Sequence, residues 1–359
     1  MQELIESTYE LANRMVPVVS RRKFETDPYG FTIKDIVTDS EKMLEHQMYN
    51  IEQTLRLDSD WVPFLEPWHG VGIYADAFGS ETSWPEDDYP WTETFMEDIS
   101  QVYNLKPAVA GESPLMEKVL KTIEYFKANT GGRIPIALTD TQSPMNTASL
   151  IVRTEELLMS CYTHPEAVHH LLDLITDLII NFSKMQLEQI GENKAIPGHL
   201  FPAGGSRGIS VSDDNCSMVS PDIYRRFFVP YFSRISRAFG GIYLHSCGGF
   251  SQNLDSMLDI EGLLGVNMHI GPGDMDPFTA KEKLGGKCLL WADVGIKWQE
   301  QYPTLPEFFT EHYLPGLLDG GEVRGLIVEA PPVEDMDRRK ELVAWTREKV
   351  SALIGEQTG

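Results

Sequence analysis

His245 and Cys247 stand two residues apart at the end of the apolar run Ile242-Tyr243-Leu244, and Gly248-Gly249 follow them. On an extended chain, residues i and i+2 share a face, so this imidazole and this thiol point the same way. Both groups ligate a borderline-soft divalent cation such as zinc. The glycines behind them allow close backbone approach. The plainer reading of the same residues is a buried thiol beside a hydrogen-bonded histidine.

A catalytic zinc site usually takes three protein ligands and keeps a fourth position open. Glu329 is the favoured third ligand, with Glu66 and Cys216 as alternatives; each follows an apolar run or lies in the loop after one. Cys288 precedes its apolar run and belongs to the opposite end of the fold. Cys161 falls in an amphipathic helix, where packing is its expected role.

Further polar residues recur where apolar runs end: Asp140, Asp213 with Asp214, Asn267 with His269, and Asp293. An acid after a strand often caps the next helix, so no single one carries weight. Together they aim many polar groups at one mouth. Glu66 and Asp140 are the candidate acid–base residues there, and Asp214, Asn267 and Asp293 the candidate substrate-facing ones. Trp68, Trp84 and Trp91 could wall a flat or quaternary ammonium ligand, or pack as loop aromatics. Residues 204–208 are glycine-rich but lack the Lys-Ser/Thr ending of a nucleotide-binding loop.

What must position these groups is an alternation of strands and helices. Strands are expected at residues 61–65, 133–138, 195–201, 209–214, 242–245, 263–267, 289–293 and 325–329. Helices are expected at 39–57, 115–129, 155–160, 165–190, 253–258, 277–284 and 305–318. Ser220-Pro221 should open another, with serine as cap and proline in the first turn. Such alternation requires parallel crossovers. The α/β fold expected is a single (β/α)8 TIM barrel over residues 61–355, because barrel enzymes put their chemistry at strand C-terminal ends. Residues 1–60 form an N-terminal helical extension packed on it, and residues 70–103 an irregular excursion.

The totals narrow the function. With 54 acidic and 30 basic side chains the net charge is −24, which opposes nucleic acid and anionic membrane surfaces as partners. No apolar run approaches the roughly 20 residues of a membrane span, and the acidic N-terminus lacks a secretory layout. Four scattered cysteines do not read as a disulfide framework. A reducing cytoplasm is the expected compartment.

Three stretches resemble the uroporphyrinogen decarboxylase superfamily: residues 161–168 running on to Ile190, residues 213–231, and Tyr243-Leu244-His245-Ser246-Cys247-Gly248-Gly249. The likeness covers roughly residues 130–350 and implies a (β/α)8 barrel. One branch decarboxylates uroporphyrinogen, a porphyrin precursor, without a cofactor. It uses an arginine-rich N-terminal segment and a histidine after the last strand. Here Arg21-Arg22-Lys23 do not match that motif, and Glu329-Ala330-Pro331-Pro332 contain no histidine. The other branch, the cobamide-dependent methyltransferases, holds zinc with His-x-Cys and a later cysteine. His245 and Cys247 match the first two ligands, and Glu329 stands nearest to the missing third. An oxygen-rich site of this kind suits a methoxy, hydroxyl or amine substrate better than a thiol.

The resemblance therefore implies a zinc-dependent methyltransferase. Its other partners would be a small methyl donor or acceptor and a corrinoid (cobalamin), free or carried by a separate corrinoid protein. A uroporphyrinogen decarboxylase-like carboxy-lyase and a non-catalytic barrel that binds a small ligand or corrinoid protein are the alternatives.

Overall fold

Six parallel strands form the continuous part of the barrel in this computed structural model, which describes residues 2–20, 28–271, 274–294 and 305–358. The Arg21-Arg22-Lys23 stretch lies outside the described residues. In chain order the strands are β1 (Val18–Val19), β2 (Thr82–Ser83), β3 (Trp91–Thr92), β4 (Ile209–Ser212), β5 (Ile242–Ser246), β6 (Leu263–Ile270), β7 (Leu289–Val294) and β8 (Leu326–Glu329). The continuous sheet runs β1-β8-β7-β6-β5-β4, while β2 and β3 pair as a separate antiparallel hairpin. The ladder β4 to β8 pairs neighbours along the chain, as right-handed βαβ crossovers require. Every residue of β4, β5 and β7 is buried, the pattern of strands covered on both faces.

The remaining circumference is held by single contacts. Residue Leu65 bridges Ile136, and Ile136 bridges Lys194. Thr141 accepts from the Ser212 N–H, and Gln142 bridges Ser212. These contacts set residues 61–65 and 135–142 as barrel positions, with residues 194–197 wedged beside β4 at its start. The seam closes where the Asp60 N–H donates to the Val18 carbonyl and the Val18 N–H donates to the Asp60 carboxylate, each at 2.9 Å. The segment read as an N-terminal helical extension thus also supplies β1, which fills the first barrel position. Residues 195–201, read as a strand, form no ladder of their own.

Helices follow their end signals. The Ser220 side chain caps Pro221–Phe227 by accepting from the Ile223 N–H. Pro165–Ile190 is one helix of 26 residues, and Pro277–Leu284 lies where periodicity puts it. Residues 305–318 form three pieces, Leu305–Phe308, a π-helical turn Phe309–Tyr313, and Leu314–Leu318. The excursion after residue 70 carries a short helix Ile73–Asp76, the β2–β3 hairpin and a 3₁₀ helix Ile99–Asn104. No helix among the described residues is long and apolar enough to cross a membrane.

Strand alternation sorts side chains between two compartments. Leu244, Val266, Leu290, Ala292 and Val328 pack outward in the main core with the helices. Val19, Trp61, Phe201, Tyr243, Leu289, Trp291 and Ile327 fill the lower lumen of the barrel. Gly265 is required there: a Cβ on it would meet the Tyr243 ring at 2.7 Å and Leu289 at 3.0 Å. One pleat further along each inward-facing row, the lumen turns polar.

Candidate metal centre and acid cluster

Register dictates that polar layer. His245 of β5 lies opposite Asn267 of β6, and Asn267 opposite Trp291 of β7. One pleat higher, His269 lies opposite Asp293. Trp291 therefore floors the site, and His245, Asn267, His269 and Asp293 stand on it.

The hydrogen bonds fix the histidine. His245 Nδ1 lies 2.6 Å from the Asn267 side-chain oxygen, which can only accept, so Nδ1 carries the proton. Asn267 is itself held, its amide donating to the Trp291 carbonyl at 3.0 Å. The other ring nitrogen, Nε2, then presents its lone pair, and it lies 3.1 Å from Cys247 Sγ. An outer partner that sets the tautomer of a ligating imidazole is a recurring feature of metal sites.

Asp214 completes the group. One donor atom each from Asp214, His245 and Cys247 lie within 4.8 Å of one another. Asp214 also accepts the Cys247 N–H at 2.8 Å. Burial, with Asp140 nearby, raises its carboxyl above the ordinary range. The Cys247 thiol is pushed up to about 12, first by burial and then by the charges of Asp214, Asp293, Asp140 and Asp274. The protein alone holds this sulfur as a thiol. A cation held there would reverse that balance, because a coordinating thiol loses its proton.

A second cluster faces the first across the mouth. His199 Nδ1 lies 2.5 Å from Glu66 Oε1, and its Nε2 3.4 Å from Asp140 Oδ1. Asp140 further accepts from Ser212 and from Gln142, each at 2.9 Å. Gln47 grips the Glu66 backbone from both sides, accepting its N–H and donating to its carbonyl. The His199 and His245 rings stand edge to face at 6.4 Å, as do His245 and His269 at 6.0 Å. His269 Nε2 lies 3.2 Å from Asp293.

The structure therefore gathers Glu66, Asp140, Asp214, His245, Cys247, Asn267 and Asp293 at one mouth. Asp214, expected among the substrate-facing acids, is the carboxylate grouped with the imidazole and thiol. Glu329 does not join that group; its N–H reaches the Tyr313 hydroxyl at 3.4 Å. Asp213 and Asp214 part company, since Asp213 is buried beneath the mouth and accepts from Ser143. Cys216 is buried in the core against Ser246, and Cys161 and Cys288 are buried as well. Residues 204–208 precede β4, at the end away from the mouth. Trp84 carries the Lys118 ammonium on its ring and Trp91 is 62 % exposed, so of these three indoles only Trp68 faces inward beside Glu66. His199 was not among the expected site residues. Its signal is local: it follows Pro197-Gly198 and sits at φ +52°, a conformation that ends any strand reading of residues 195–201.

A family model described as uroporphyrinogen decarboxylase (URO-D) matches residues 26–290. A methylated-thiol–coenzyme M methyltransferase of Methanosarcina mazei is 25 % identical over 195 residues, 52 % of this chain and 47 % of that protein. A uroporphyrinogen decarboxylase of Xanthomonas axonopodis pv. citri is 23 % identical over 168 residues, 45 % of this chain and 42 % of that protein. The chain spans about half the length of the curated relatives it matches. Among solved structures, a methyltransferase from Methanosarcina mazei superposes with a TM-score of 0.68 at 17 % identity, over 98 % of this chain and 99 % of that one. A B12-independent methionine synthase from Shewanella sp. W3-18-1 in complex with selenomethionine gives 0.54 at 11 % identity, over 94 % of this chain and 98 % of that one. At such identities the structural likeness speaks to the fold alone.

Proposed function

The chain belongs to the uroporphyrinogen decarboxylase (URO-D) family, and from that premise we propose that it is a zinc-dependent methyltransferase. It would move a methyl group between a small substrate and a corrinoid, either free cobalamin or one carried by a separate protein. The observation that carries the reading is the convergence of the Asp214, His245 and Cys247 donor atoms within 4.8 Å. An imidazole nitrogen, a sulfur and a carboxylate oxygen form a donor set that suits zinc. Asp214 takes the third position in this proposal, in place of Glu329. When bound, the zinc would supply Lewis-acid polarisation of the heteroatom that carries or accepts the methyl group.

The chain's own residues would do the rest. Asn267 keeps the proton of His245 on Nδ1, leaving Nε2 for the metal. His199 can hold a proton between Glu66 and Asp140. It is placed to pass that proton to the heteroatom that loses its methyl group. The electrons of the broken carbon–heteroatom bond stay with that atom, and the proton neutralises it. General acid help of this kind is worth roughly 10²–10⁴-fold. Asp293 and His269 would orient substrate on the far side. A reducing cytoplasm suits the proposal, since Cys247 must remain unoxidised.

The test is elemental analysis of the purified protein, followed by loss of the cob(I)alamin absorbance with methylated substrates. About one zinc per chain and methyl-dependent bleaching is the expected result. A zinc-free protein that still transfers methyl would sink the reading. A second reading, a carboxy-lyase of porphyrin metabolism, is favoured by the decarboxylase relatives. Incubation with uroporphyrinogen and separation of the porphyrin products distinguishes it.

A further inference from the structure

Asp140 of the acid cluster and Asp214 of the metal group stand on different segments, and one buried side chain touches the supports of both. Asn146 lies in the helix Pro144–Ser149, which follows the barrel position at residues 135–142. Its Oδ1 accepts the Asn215 N–H at 3.0 Å, and Asn215 directly follows Asp214 in the 3₁₀ turn Asp214–Met218. Its Nδ2 donates to Gln142 Oε1 at 2.9 Å, and Gln142 Nε2 donates to Asp140 Oδ2 at 2.9 Å. Asn215 is fastened to the same helix twice more, its amide donating to the Met145 carbonyl at 3.2 Å and to the Ser149 hydroxyl at 2.9 Å. The helix is tied in turn to the end of β4, because Ser143 accepts the Asn146 N–H and donates to Asp213, each at 3.0 Å. Gln142, Asn146 and Asn215 are all buried.

One peptide group sets the direction of this chain of amides. A backbone N–H can only donate, so the Asn146 atom that meets Asn215 is the oxygen. The nitrogen of that amide then faces Gln142, which answers with its own oxygen. Gln142 is left to meet Asp140 with a donor, so Asp140 is held as an acceptor on Oδ2, while Ser212 donates to its Oδ1. We infer that Asn146 is a positioning residue for both halves of the mouth. Its oxygen arm holds the turn that carries Asp214, and its nitrogen arm, through Gln142, keeps Asp140 an acceptor beside His199. The effect of the oxygen arm on a metal rests on the zinc reading; the nitrogen arm does not. Because the amides are buried, replacing one donor by an acceptor leaves a mismatch that water cannot relieve.

The experiment uses the full chain and two substitutions that separate the arms. Asn146→Asp keeps the oxygen for Asn215 and removes the donor to Gln142. Either Gln142 turns over and aims its oxygen at the Asp140 carboxylate, or the new carboxyl keeps its proton. Both arrangements bind a proton more tightly in the folded chain than in the unfolded one. A folded pKa raised in this way contributes stability below the ordinary aspartate value of about 3.9 and loses it as the pH rises. The melting temperature of metal-free Asn146→Asp should therefore fall further below that of the wild type as the pH is raised from about 5 to about 8. His199, Tyr74, Asp214 and Cys247 also act on Asp140, but they are common to both chains, so the difference isolates the substitution. Zinc affinity, by competition with a chromogenic chelator, should stay within about twofold in Asn146→Asp and fall roughly 10–100-fold in Asn146→Leu, which cuts both arms. A deficit of Asn146→Asp that does not change with pH overturns the inference, and so does a loss of zinc in it as large as that in Asn146→Leu. Should Asn146→Leu not fold, Gln142→Met, which cuts the nitrogen arm alone, takes its place; it should keep its zinc, and a loss there overturns the division of the two arms. A wild-type chain that takes up no zinc sinks the zinc reading, whereas the pH comparison is made without metal and decides the inference by itself.

Discussion

His245, Asn267 and Asp293 stand on strands joined by unbroken parallel ladders, whereas Glu66, Asp140 and His199 stand on segments joined by single bridges. Under the proposed reading the first group would hold the His245 ligand and its neighbours at fixed distances, while Asp214 and Cys247 follow just beyond the ends of β4 and β5. The second would need side chains that can shift with a proton, and it is held by side chains instead: Gln47 on the Glu66 backbone, and Ser212 and Gln142 on the Asp140 carboxylate. A barrel can thus divide one mouth into a part held by its sheet and a part held by its loops.

Substitutions on the two sides should separate metal content from turnover. The largest effect is expected for Cys247→Ser: zinc should fall to a small fraction of one per chain, and methyl transfer by about 10³-fold or more, read by mass spectrometry of the metal and by corrinoid absorbance. Full activity in a metal-free Cys247→Ser protein would break the comparison. Next, Glu66→Gln should keep its zinc and lose about 10²-fold in turnover; a parallel loss of zinc would erase the distinction. Asn267→Ala should weaken zinc by roughly 10–100-fold, since it frees the His245 ring, as competition with a chromogenic chelator can show.

A smaller effect concerns stability on the acid side. His69 follows Glu66 by three residues and is wholly buried between the Val37 carbonyl and the Thr122 hydroxyl. Burial lowers its pKa to about 4, below the roughly 6.5 of an unfolded chain. Its folded value is depressed, so its contribution is complete above about pH 6.5 and is lost as pH falls towards 4. The full span is about 3 kcal/mol. His69→Gln should flatten that part of the melting-temperature profile; an unchanged slope would assign the acid sensitivity elsewhere. Smallest of all, Glu329→Gln should leave zinc content within about twofold of the wild type. A large loss would return Glu329 to the ligand set.

The second half of the barrel was readable because its strands are mostly apolar and mostly buried, and polar residues stand at or near their C-terminal ends. His245 and Cys247 stood out by residue type and spacing. The first half was harder. Val18–Val19 is too short to show a period, and it sits inside a stretch that reads as helical. Residues 61–65 and 133–138 were visible as apolar runs, but nothing in them reveals that single bridges hold them. Asp214 was visible as an acid at a strand end; its neighbour Asp213 is the same residue type, and only the pleat separates the buried one from the donor. His199 was hidden because its role comes from a left-handed turn and from two carboxylates far away in sequence.

The β1–β8 ladder joins segments far apart in the sequence. Asn13 binds the Val323 carbonyl across 310 positions and the Gly325 N–H across 312, and β1 pairs with β8 beside it. Ladders β4 to β8 can form between sequence neighbours as synthesis proceeds, but the ring cannot shut until β8 has left the ribosome. Until then, the edge of β1 that pairs with β8 awaits a partner that does not yet exist, and loop-closure entropy is spent late. Folding of this chain therefore has a long interval in which an open sheet edge is exposed to other chains.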